Sequence, residues 1–132
     1  MKNKQRKSES KALKYNGGKP RMSLISSVFL FGLARQLTYG EQKYIKNGKP
    51  GSNNWRLGFQ WSELIDALER HIHAYKDGQN LDPDSKLPHV DAISACAMFI
   101  SEHYHRNLGV DDRYKIENLQ TNWEYEHEQN EK

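Results

Sequence analysis

Between residues 61 and 105 the chain places apolar side chains at helical spacing twice over, with a proline-punctuated turn between the two runs. No stretch of the chain sustains the alternation that a half-buried strand requires. In the first run Trp61, Leu64, Ile65, Leu68, Ile72 and Tyr75 form one stripe, and Glu63, Asp66, Arg70 and His73 lie opposite it. Asp77-Gly78 supplies a helix stop. The turn Asp82-Pro83-Asp84-Ser85-Lys86-Leu87-Pro88 leads into a second run from about His89 to His105. There Val90, Ile93, Ala97, Ile100 and Tyr104 face one way, and Ala92, Ser94, Ala95, Cys96 and Ala97 allow a neighbouring helix to approach closely.

Two further helices are expected. Ser26 or Ser27 caps one that runs to about Leu37. Its Val28, Phe29, Leu30, Phe31 and Leu33 are apolar on most sides, which places it centrally. Another covers Asp111 to about Glu124. Residues 40–59 carry Gly40, Gly48, Pro50, Gly51 and Gly58 and read as a long loop with a short helical start at Glu41-Gln42-Lys43-Tyr44; loops of that length tend to be functional. The fold class is all-α, an antiparallel four-helix bundle.

At 132 residues this is a single domain, with residues 13–124 as the helical body. A domain of this size leaves apolar surface that oligomerisation can bury. A basic tail spans residues 1–12 and an acidic tail residues 125–132. The basic tail reads as a solvated segment, with polyphosphate or nucleic-acid binding as the other use of such charge. The one cysteine, Cys96, sits in an apolar segment without a basic neighbour, so it reads as core packing in a reducing compartment. No apolar run reaches the roughly 18 residues of a membrane span, and no leader follows the basic start. The expectation is a cytoplasmic protein with no membrane partner.

Several residues could carry chemistry. Glu63 and Asp66, three apart, share a helix face and could chelate a hard divalent cation, with Asp91 from the next helix closing the set. Read alone, such carboxylates are more often a solvated face. Arg70, one turn beyond Asp66, suits phosphate oxygens; the plainer reading is an Asp66–Arg70 ion pair. His71 flanks the apolar stripe and reads as a packed histidine. Lys43, Tyr44, Asn54 and Trp55 bracket the long loop and could supply a phosphate contact, stacking and base-edge recognition, or could simply pin the loop. Lys14, Lys19 and Arg21 surround Gly17-Gly18, which is not a Walker A motif. His89 opens the last long helix either as a metal ligand or as a helix-entry residue.

Six segments in this order resemble the phage dATP/dGTP diphosphohydrolase (MazZ-like) family, related to the MazG all-α nucleoside triphosphate pyrophosphohydrolases. They are Lys14-Tyr-x-Gly-Gly-Lys-Pro-Arg, Leu-Thr-Tyr-Gly-Glu-x-Lys43-Tyr44, Asn54-Trp55-Arg, Trp-Ser-Glu63-Leu-x-Asp66-Ala, Arg70-His71 and Asp82-Pro-Asp-Ser85-x-Leu-Pro-His89. The resemblance covers residues 13–105. It implies a four-helix fold, a homo-oligomer (dimer or tetramer), and two or three Mg²⁺ or Mn²⁺ ions at carboxylates. It also implies hydrolysis of dGTP or dATP to the monophosphate and pyrophosphate, in some phages linked to 2-aminoadenine DNA. By matching position it assigns Glu63, Asp66 and Asp91 to metal, with His89 standing in for a missing acidic partner. Three departures from the family pattern are visible: Pro88 in the second acidic motif, Gln79-Asn80 at an acidic place and Lys86 at a glycine place.

The mechanism expected on that basis has Glu63 or Glu41 accepting a proton from water, and Arg70, Lys43 and Lys19 countering phosphate charge. Tyr44, Asn54 and Trp55 select the purine. Two other readings remain: a broad house-cleaning pyrophosphatase of the MazG type, and a non-enzymatic nucleotide or nucleic-acid binding module. The carboxylates argue against the last, and no stable nucleic-acid partner is expected.

Overall fold

A computed structural model describes residues 12–117, so the acidic tail and nearly all of the basic tail lie outside the described residues. Three long helices make up the body: α1 (Ser27–Lys43), α2 (Trp61–Lys76) and α3 (His89–Arg106). Short 3-10 turns occupy Met22–Leu24 and Asn54–Leu57. Among the described residues there are isolated backbone bridges but no strand.

Helix α1 starts where its serine directs, because Ser26 Oγ accepts from the Phe29 N–H at 3.3 Å. It then runs through the expected loop start to Lys43, well beyond Leu37. Helix α2 begins without a cap from its own Gln60. The cap comes from a distance: Asp112 accepts from the Ser62 N–H and from the Ser62 hydroxyl. That use of Asp112 corrects the expected fourth helix. Residues 111–116 have no regular secondary structure, Asp111 is spent on Arg113, and the remainder of the expected helix lies outside the described residues.

Helices α2 and α3 are antiparallel neighbours. His71, late in α2, meets His89 at the start of α3, and Trp61 at the start of α2 donates from Nε1 to Leu108 O beyond the end of α3. The buried residues are mostly small, as close approach requires: Leu64 from α2 with Ala92, Ala95 and Cys96 from α3. Burial pushes the Cys96 thiol up from its ordinary value, consistent with a packing role.

The central helix is α3, which packs against both others. This corrects the expectation that α1 is central. Gly32 is its one buried residue, while Val28 is 81% and Phe31 66% exposed. Its apolar residues are legible as apolar, but no described element covers them.

Candidate functional site

One cavity of about 700 Å³ lies where α1, the 44–60 loop, α2, the 77–88 loop and α3 converge. That size falls within the range of about 300–1,000 Å³ usual for small-molecule sites. Of the residues singled out in the sequence, it gathers Glu63, Arg70, Lys43, Tyr44, Asn54 and Trp55. Glu41, reached by the longer α1, also lines it.

Local structure explains how the loop reaches the cavity. Gly51 sits against the backbone of Tyr44 so closely that a Cβ would lie 2.6 Å from Tyr44 O. The Gly51 N–H donates to Glu41 O at 2.9 Å, and the Ser52 hydroxyl donates to Glu41 Oε2. The loop is thereby tied to the last turn of α1. At its tip Asn47 and Gly48 both have positive φ, a type I′ turn between the bridged Lys46 and Lys49. Trp55 packs on Phe99 of α3 with ring centroids 5.3 Å apart, and the Arg56 guanidinium lies 4.4 Å from its ring. Trp55 therefore pins the loop and also lines the cavity.

Arg70 lines the cavity, and the ion pairs of the described residues include none with Asp66. The plainer reading of Arg70 is thus not realised. Asp66 instead lies in a shallow open recess with Glu69, Arg70 and His73. Asp91 packs over Gly32 of α1, where an added Cβ would lie 2.2 Å from Asp91 Oδ1. Lys19 sits in an exposed turn whose backbone bonds to Asn16 O, and it does not line the cavity. The structure therefore does not bring Glu63, Asp66, Asp91 and His89 into one cluster.

Three cavity residues were not expected to line it. Glu102 of α3 lines the wall and pairs with Arg106 at 2.7 Å. Gln36 of α1 lines it too, and its Oε1 is buried with no hydrogen-bond partner. The third is His71, which together with Asp82 borders the cavity. Along with His89 these form the one group of three metal-capable side chains among the described residues, all donor atoms within 4.8 Å of one another. His71 is held below the ordinary histidine value by burial first and by His89 second, with Asp82 pulling the other way. Both residues sit inside the Arg70-His71 and Asp82–His89 segments, but the sequence reading did not group them.

The family model described as "dATP/dGTP diphosphohydrolase, N-terminal" matches residues 9–113. A dATP/dGTP diphosphohydrolase of Salmonella phage PMBT28 is 33% identical over 101 residues, which cover 76% of this chain and 32% of that relative. The chain thus spans about a third of the relative's length. No solved structure gives a significant match. A family match across residues 9–113 takes in every element that lines the cavity, and on that ground the chain belongs to the dATP/dGTP diphosphohydrolase N-terminal family.

Proposed function

We propose that this chain hydrolyses dGTP, dATP or both to the monophosphate and pyrophosphate at the cavity between α1, α2 and α3. The observation that carries the reading is the lining of that one cavity. Carboxylates from three helices (Glu41, Glu63 and Glu102), the cations Lys43 and Arg70, and the aromatic rings of Tyr44 and Trp55 share its wall. The family match and the named activity of the phage relative support the same reaction.

Water attacks the α-phosphorus, a new P–O bond forms, and the bond to the α,β-bridging oxygen breaks to release pyrophosphate. Glu63 takes the water's proton on a carboxylate oxygen. Glu41 could share that task through the oxygen that Ser52 leaves free. Arg70 offers a planar fork to two phosphate oxygens, and Lys43 a point charge. Both oppose the charge that builds on the leaving pyrophosphate. Tyr44 and Trp55 give the base apolar faces. Asn54 and the unpartnered Gln36 Oε1 are suited to its polar edge, because a buried acceptor without a donor is costly until a ligand supplies one.

Glu41, Glu63 and Glu102 offer the oxygen donors that Mg²⁺ or Mn²⁺ takes, but their donor atoms are not gathered into one group among the described residues, so holding an ion would require them to converge. Such ions would neutralise phosphate charge and acidify water when bound. A role for Asp66 or Asp91 as ligands would require a rearrangement or a neighbouring copy. The exposed Val28 and Phe31 of α1 support a homo-oligomer, dimeric or tetrameric, which could complete a four-helix arrangement. In a phage that makes 2-aminoadenine DNA, dGMP released here would feed synthesis of the modified base while dATP is removed.

Chromatographic assay of each dNTP with Mg²⁺ or Mn²⁺ tests the reading. The expected outcome is dGMP or dAMP with pyrophosphate, and equal turnover of all dNTPs would favour the broad house-cleaning reading. Glu63→Gln should lower kcat by about 10²–10⁴-fold with the fold intact. Absence of any monophosphate product with either metal would sink the proposal.

A further inference from the structure

His89 is 4% exposed at the first position of α3. Its Nε2 lies 2.7 Å from Gln79 Oε1. An amide oxygen only accepts, so Nε2 carries the ring proton and Nδ1 presents its lone pair. That lone pair faces His71 Nδ1 at 2.9 Å, and Asp82 Oδ2 lies 4.0 Å from the same His71 atom.

The three donors are held by backbone as well as by packing. The His89 N–H donates to Asn80 O at 2.9 Å, and Leu81 and Pro88 are bridged. The Asp82 N–H donates to Leu87 O at 2.8 Å. Asp82 Oδ1 is occupied by the Asp84 N–H at 2.8 Å, which leaves Oδ2 on the His71 side. The 77–88 loop is thus closed on itself with one carboxylate oxygen and one imidazole lone pair set against a second imidazole from α2.

From this geometry we infer a binding site for a borderline divalent transition ion, of the class of Zn²⁺ or Co²⁺, held by His71 Nδ1, Asp82 Oδ2 and His89 Nδ1. It does not rest on the hydrolytic reading. A tetrahedral ion about 2.0–2.1 Å from each donor sets donors roughly 3.4 Å apart. The 2.9 Å and 4.0 Å separations from His71 Nδ1 bracket that value, so binding asks each of those two pairs to move by about half an ångström, and the His89 and Asp82 donors already lie within 4.8 Å of each other. The ion replaces the proton that His71 Nδ1 shares with His89, and that proton moves to His71 Nε2 or to solvent. Two imidazoles with one carboxylate suit Zn²⁺ and its neighbours and do not suit Mg²⁺, which demands oxygen. The Gln79 amide fixes the His89 tautomer from outside the coordination sphere, the usual arrangement for a ligating histidine. The ion would join α2, the 77–88 loop and α3, each of which contributes one donor.

The test uses the full chain without a histidine tag, stripped by chelator and titrated calorimetrically with Zn²⁺ or Co²⁺ in excess Mg²⁺. One equivalent should bind, with a visible Co²⁺ spectrum and a rise in Tm that grows with ion concentration. His71→Gln and Asp82→Asn should each weaken binding at least about tenfold, and Gln79→Ala about tenfold. His73→Gln and His105→Gln, outside the trio, should leave it unchanged. His71 and Asp82 are half-buried, so their variants keep the test open should the buried His89→Gln fail to fold. Displacement of the ion by Mg²⁺, or equal affinity in wild type and His71→Gln, overturns the site. Hydrolysis of dNTPs with Mg²⁺ is read separately, so failure of one proposal does not count as failure of the other.

Discussion

Helix α3 carries a buried histidine near each end, and the two are built for opposite purposes. His103, fully buried, has both ring nitrogens committed to backbone: Nδ1 donates to Phe99 O at 2.7 Å and Nε2 accepts from the Phe59 N–H at 3.1 Å. Its ring stacks on Phe59, and the same segment is bridged to Val110. At the other end His89 commits one nitrogen to Gln79 and turns the other toward titratable neighbours. A histidine whose partners are all main chain closes a structure. One whose partners are side chains from two other segments leaves a place where chemistry can enter. Burial alone does not distinguish them; the identity of the partners does.

The largest effect should come from the closed end. His103→Ala leaves the Phe59 N–H unsatisfied and opens a void, so it should cost about 3–5 kcal/mol in urea unfolding. His89→Ala, with a half-exposed ring beside it to relax, should cost less. A His103→Ala protein as stable as wild type would break the comparison.

The next effect separates the loops at the two ends, each of which places a residue at φ +64°: Gly109 after α3 and Lys86 before it. At Gly109 a Cβ would lie 1.9 Å from Phe59 O, so no side chain is admitted. Gly109→Ala should destabilise by about 2–3 kcal/mol by thermal melt. At Lys86 a side chain occupies the left-handed region, and Lys86→Gly should stabilise by about 0.5–1 kcal/mol. Loss of stability on Lys86→Gly would mean that the lysine side chain holds the 77–88 loop by contacts beyond its backbone.

These same residues show what could be read from the chain and what could not. The bounds of α2 and α3 follow from the spacing of Leu64, Leu68 and Ile72 and of Val90, Ile93 and Ile100, because amphipathic periodicity survives into packing. Lys86 was legible as a departure from the glycine that the resemblance implies there, and its positive φ is a conformation that favours glycine. The end of α1 was not legible. Thr38 and Gly40 are weak helix formers, yet the helix continues through them while the loop closes on Glu41. Nor was the fate of Asp112, since capping Ser62 from fifty residues away leaves no local pattern. His71 and Asp82 each read as ordinary, one a packed histidine and the other a turn aspartate. Only the antiparallel register of α2 and α3 makes them neighbours. Glu63 kept its place at the cavity while Asp66 and Asp91 did not join it. A face shared on one helix does not fix which side of the bundle that face meets.

The smallest effect is one of pH, and it sharpens the contrast from the open end. In the metal-free protein the folded state holds His71 below its ordinary value of 6.5, chiefly by burial and by His89, with Arg70 adding to the depression and Asp82 opposing it. Between the folded and unfolded values the unfolded chain binds a proton that the folded chain does not, so stability rises with pH through that window. The contribution is complete above about pH 6.5 and is lost as pH falls toward the folded value. The carboxylates act in a separate window. Asp111, beside Arg113, and Asp112, bonded to Ser62, are both held below the ordinary value of 3.8, and their contribution is lost only as pH falls below that. Urea midpoints across pH should therefore show two steps, and His71→Asn should remove the upper one while leaving the lower. A transition ion bound at the trio should deepen the upper step in wild type and carry it to lower pH, because the ion keeps protons off the imidazole lone pairs of the folded chain while the unfolded chain still takes them up. An upper step that survives His71→Asn unchanged would assign it to another histidine and weaken the case that the open end of α3 is the responsive one.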